Sequence, residues 1–183
     1  MNHIYLFSGL GADERVFQKL YFSKYQVTFV KWVEPIKNEP IEAYAKRISF
    51  QIKHPNPILI GLSFGGMIAV EVAKVISTEK VILIASAKNR KEIPFYFRLL
   101  GRMRIDSLIP ASILKKSNFL SNWFFGIESN TDKLLLKQIL LDTNPIFLKW
   151  AIAKIIRWKN EVAIKNIIHV HGTADRLLPI YFV

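Results

Sequence analysis

Short apolar runs alternate with helical stripes along the first half of the chain. Ile4 to Phe7, Val27 to Val30, Ile58 to Ile60 and Val81 to Ile84 are four such runs. All four predict strands, and the continuous run Val81 to Ile84 predicts one covered on both faces, as in a parallel sheet. Between them the period changes. Asp13 is placed to cap a helix carrying Val16, Phe17 and Leu20 on one face. Pro40 suits the first turn of a second helix, in which Ile41, Tyr44, Ala45, Ile48 and Ile52 form a stripe. The run His54-Pro55-Asn56-Pro57 breaks it. A third helix is predicted over Met67 to Ser77, burying Ile68, Val72, Val75 and Ile76.

After Ile84 the alternation stops. Lys88 to Glu161 reads as helices only: one starting at Pro94, with Arg98 and Arg102 a turn apart, one from Thr131 to Leu141, and one from Pro145 to Trp158. The last is nearly apolar all round, which predicts burial on several sides or the lining of an apolar pocket. A strand pattern returns at Ile167 to His171. Strands joined through helices by short loops predict an α/β fold, an open and mainly parallel sheet with flanking helices. The expected division is a core of residues 1–87 and 162–183 with a helical lid, 88–161, inserted between its fourth and fifth strands.

Composition narrows the setting. The 183 residues are 51% hydrophobic, enough for a substantial core and too many for disorder. There is no cysteine, so neither a disulfide nor a thiolate metal site exists. No metal-ligand cluster and no cofactor motif is found. Gly9-x-Gly11 follows a strand, but Glu14 stands where a dinucleotide fingerprint needs its third glycine and would repel a pyrophosphate. The start carries no convincing signal peptide, and no apolar run approaches the ~18 residues of a membrane span. The expected location is the cytoplasm. Of the net charge of +12, residues 88–160 carry +9. No nucleic-acid recognition motif accompanies that charge, which fits a solvated face or a surface turned toward an acidic partner.

The chemistry gathers at Gly61-Leu62-Ser63-Phe64-Gly65, which follows a predicted strand and precedes a predicted helix. In a turn that sharp the serine hydroxyl stands out above the sheet, and side chains at 61 and 65 would collide with strand and helix. The run resembles the nucleophile elbow of the α/β-hydrolase family. The resemblance covers nearly the whole chain, beginning at what would be the family's third strand. It implies Ser63 as nucleophile. It implies backbone N–H groups of Phe64 and Leu10 as oxyanion donors, although Ser8-Gly9 stands where many members have His-Gly. His171-Gly172-Thr173-Ala174-Asp175 is similar to the family's acid loop, which implies Asp175 as the orienting acid.

The histidine that the resemblance places after Asp175 is absent. The four histidines, His3, His54, His169 and His171, all precede it. The expectation is therefore a chain incomplete at its C-terminus, with His171 as the candidate substitute base. A serine at the elbow points to hydrolysis of carboxylic esters or thioesters through an acyl-enzyme. The alternative is an inactive, binding form of the fold or a truncated product. Trp123, Phe147 and Trp150 are expected in the substrate pocket. The substrate is expected to be a small acyl ester or thioester, presented by an acidic carrier or an anionic surface.

Overall fold

The computed structural model describes residues 3–10, 12–104, 129, 134, 137–139 and 141–183. Among the described residues five strands form one sheet: β1 (His3–Phe7), β2 (Gln26–Phe29), β3 (Ile58–Leu62), β4 (Lys80–Ile84) and β5 (Ile167–Val170). Their order is β2-β1-β3-β4-β5, and every pairing is parallel. The first connection leads from β1 outward to β2, whereas the later ones step the other way, through β3 and β4 to β5. The order therefore reverses between β1 and β3. The crevice beyond the carboxyl ends of strands at such a reversal is where open α/β sheets take their ligands.

Alternation along the strands sorts the core into two layers. Tyr5, Phe7, Leu59, Val81 and Leu83 point to one face, where they pack with α1 (Ile41–Ile48), α2 (Phe64–Ala73) and α4 (Pro145–Arg157). Ile4, Leu6, Ile58 and Ile60 point to the other, under Phe17 and the partly buried Val16 and Phe22. The segment after Asp13 is not the helix its spacing predicts. It is a single 3-10 turn, Glu14–Phe17, capped by Asp13 accepting from the Arg15 N–H at 3.0 Å. Phe17 is buried but Leu20 is 45% exposed, because the turn ends before a second helical face can form.

α2 also differs from its predicted bounds. It starts at Phe64, directly after Ser63, and ends at Ala73, leaving Val75 outside and half exposed. Phe64 through Val72 are all buried. Among them is Glu71, whose carboxylate pairs with Lys74 and accepts from Trp158 Nε1 at 2.8 Å. That last bond fastens the end of α4 to α2. α4 is capped by Asn144, whose side chain accepts from the N–H groups of Ile146 and Phe147. α3 (Phe95–Arg102) begins after Pro94 and packs on α4 through Gly101, where a Cβ would press on the Ile156 carbonyl. Thr131, where the sequence predicts another helix to begin, lies outside the described residues, as does Trp123.

Candidate active site

Ser63 joins the end of β3 to the start of α2 with φ 51° and ψ −120°. A serine rarely adopts a positive φ; such a conformation costs about 1–3 kcal/mol and persists only where its surroundings impose it. Here they do. The Ser63 N–H donates to Ile84 O of the neighbouring strand at 2.8 Å. The Ser63 carbonyl accepts from Gly66 N at 2.9 Å and from Ser86 Oγ at 2.7 Å. The turn is thus held on both sides of the residue, and the half-buried serine sits at its tip.

The glycines around it are sterically required. A Cβ on Gly61 would meet the backbone of Gly65 and Gly66, and one on Gly65 would meet the carbonyls of Phe7 and Ser8, all closer than 3.0 Å. A Cβ on Gly66 would strike Ser86. The contact at Gly65 brings the loop after β1 against the N-terminus of α2. That loop closes on itself: Ala12 N donates to Gly9 O at 3.0 Å, and the buried Ser8 hydroxyl donates to Ala12 O at 2.6 Å. Leu10 belongs to that loop, and Phe64 is the first residue of α2. The Phe64 N–H therefore lies outside the i→i−4 ladder.

Asp175 follows the end of β5, at the same edge of the sheet. Its Oδ1 accepts from Leu177 N and Leu178 N, each at 2.9 Å, which aims the other oxygen at His171. Oδ2 lies 3.4 Å from His171 Nε2, the two side chains being 16% and 4% exposed. The same nitrogen donates to Leu178 O at 2.6 Å, and Nδ1 lies 3.4 Å from His169 Nε2. Both ring nitrogens of His171 thus have other partners among the described residues. His169 is held below the ordinary histidine value of 6.5, chiefly by burial. His3 and His54 stack at 3.7 Å at the opposite edge, where β1 begins.

No protein-family model matches the sequence, and no curated protein matches it. Solved structures match it in fold. A hydrolase from Pseudomonas aeruginosa superposes with TM-score 0.70 at 15% identity, over 99% of this chain and 75% of its own. An esterase from Thermogutta terrifontis does so with TM-score 0.65 at 16% identity, over 100% and 75%. An alpha/beta hydrolase fold protein from Burkholderia ambifaria gives TM-score 0.60 at 13% identity, over 98% and 76%.

The chain has the α/β-hydrolase fold.

Within that fold, the aromatic residues expected in a pocket take different positions. Phe147 is 4% exposed and packs on Trp32, Phe64 and Trp150, with ring centroids 5.3–6.1 Å apart. Trp150 donates Nε1 to Glu39 O at 2.8 Å and lines a separate cleft with Lys37, Lys149 and Arg157. At the carboxyl edge of the α/β-hydrolase sheet an open cavity of about 540 Å³ lies between Ser8, Ala12 and Asp13 on one side and Val30, Lys31 and Trp32 on the other. It adjoins the loop of Leu10, and Ser63 is not among its lining residues. Sequence reasoning missed Ser86. Its signal is slight: Ala85-Ser86-Ala87, three small residues directly after a strand, with Ala85 at φ 46°.

Proposed function

We propose that the protein is a hydrolase and, more specifically, that it cleaves carboxylic esters or thioesters through an acyl-enzyme on Ser63. The hydrolase and esterase among its structural neighbours support the general class. The observation that carries the specific reading is the backbone of Ser63, held at φ 51° between β3 and a helix N-terminus by partners on both sides. Strain so thoroughly supported belongs where a side chain must be presented. In this reading Ser63 Oγ attacks the acyl carbon and its proton passes to a base. The carbonyl oxygen takes up negative charge, for which the N–H groups of Phe64 and Leu10 are the donors. The C–O or C–S bond then breaks, the leaving group departs with a proton, and water hydrolyses the acyl-serine. Asp175 orients the base.

A second reading has its own support. With Nε2 engaged by Leu178 and Asp175, and Nδ1 facing His169, His171 is not poised to take the Ser63 proton. The domain is then a binding form of the fold. Fluorophosphonate labelling separates the two. The hydrolase reading requires label on the wild type and none on Ser63→Ala. Equal labelling of both, or none on either together with no p-nitrophenyl ester turnover, favours the binding form. Loss of labelling in His171→Ala would make His171 the base.

A further inference from the structure

The described residues carry a patch that acyl transfer does not use. α3 turns Phe95, Leu99 and Met103 to solvent, at 64%, 53% and 64% exposure. Four apart in sequence, they follow one side of the helix. Gly101 faces the other way, against the Ile156 carbonyl. Two residues subtend about 200° of a helix, so α4, which holds Gly101, cannot also cover Leu99.

Arg98 and Arg102, one turn apart, flank this apolar side. With Arg90 they line a hollow of about 320 Å³ whose other walls are Phe95 and Leu99. Arg90 stands on a pinned turn. Its N–H donates to Asn160 O at 2.7 Å, and the buried Asn160 amide donates to Lys88 O at 2.9 Å. No carboxylate lines the hollow, and no described carboxylate forms an ion pair with any of the three guanidinium groups.

Guanidinium groups converging beside exposed apolar side chains call for an anion joined to an apolar body. A phosphodiester bearing acyl chains is such a group. We infer that α3 docks on the surface of an anionic phospholipid bilayer. Arg90, Arg98 and Arg102 hold the lipid phosphate, and Phe95, Leu99 and Met103 enter the headgroup–acyl boundary. A free phosphate would leave the exposed apolar row unexplained. The net +9 of residues 88–160 adds a sequence-wide attraction for an anionic surface. No helix among the described residues is long and apolar enough to cross a membrane. The contact is therefore one of a helix lying in the interface. It does not depend on the acyl-transfer reading, and its readout is binding.

The test is co-sedimentation of the full chain with phosphatidylcholine vesicles, with and without phosphatidylglycerol. Binding should require phosphatidylglycerol, fall with added NaCl, and weaken roughly tenfold or more in Arg98→Glu/Arg102→Glu. Phe95→Ser/Leu99→Ser should weaken it too while leaving the charge unchanged. Equal binding to neutral vesicles, or binding by the wild type that salt does not reverse, would overturn the inference. So would saturable binding of inorganic phosphate, or retention on immobilised polyglutamate, without binding to vesicles. Those two results would assign the patch to a soluble anion or to an acidic protein.

Discussion

Ser86 donates its hydroxyl to the carbonyl oxygen of Ser63 at 2.7 Å, from a position with no solvent exposure. The bond links the segment after β4 to the strained turn after β3. Ser86→Ala removes the donor and leaves the N–H groups of Gly66, at 2.9 Å, and Met67, at 3.4 Å, as partners of that carbonyl. The expected cost is about 1 kcal/mol, read as a lower urea midpoint. If Ser63 is the nucleophile, fluorophosphonate labelling should also slow, because the turn is then free to relax.

Gly65→Ala should be far more damaging. The added Cβ would overlap the carbonyls of Phe7 and Ser8, and neither backbone group can move without shifting β1. A loss of more than ~3 kcal/mol or failure to fold is expected, measured by urea denaturation. Gly172→Ala is the control. A Cβ there meets nothing within 4 Å, so its effect should stay within about 0.5 kcal/mol.

Trp158→Phe tests the tie between α4 and α2. Trp158 and Glu71 are 2% and 1% exposed. Losing the indole N–H leaves one buried carboxylate oxygen without its donor, a loss of roughly 2 kcal/mol. Chemical denaturation measures it.

Stability should decline in two acid steps. Burial, and then the stacked His54, hold His3 below 6.5, and burial holds His169 below it as well. Above 6.5 these groups are neutral in both states and contribute nothing. Below it the unfolded chain binds protons that the fold refuses, so stability falls with pH until the folded values are passed. The second step belongs to Glu39, joined below 3.8 by Asp13, which its hydrogen bond to Arg15 holds down. Hydrogen bonds from Arg47 are the largest cause holding the Glu39 carboxyl below 4.5. Its contribution is present above 4.5 and is lost as pH falls through the folded value. Thermal midpoints between about pH 7.5 and 3 should show both, and His169→Phe should flatten the first.

β5 lies at the edge of the sheet, with Ile168 and Val170 at 44% and 52% exposure. Edge strands of this kind pair with other chains. Ile168→Lys should reduce self-association in sedimentation velocity without lowering the thermal midpoint by more than a few degrees.

The sequence by itself determined the strands and the elbow, because both are written in local residue types. A short continuous run such as Ile58 to Ile60, bounded by Pro57 and Gly61, fits a strand buried on both faces. Gly61, Ser63 and Gly65 specify a turn that few other residues can make. Even Asp13 as a cap was legible, since capping is a contact between near neighbours. Only the tertiary structure decided what depends on residues distant in the chain. Nothing in Ala85-Ser86-Ala87 announces that a hydroxyl will brace a carbonyl 23 positions earlier. The spacing around His171 does not say that Leu178 and His169 engage its ring nitrogens. The apolar pattern of α4 did not distinguish a pocket wall from core, and packing sent Phe147 into the core beside Phe64. Local patterns record what the backbone must do at each position. Which side chains meet is decided by strand order and helix packing, and those are properties of the whole chain.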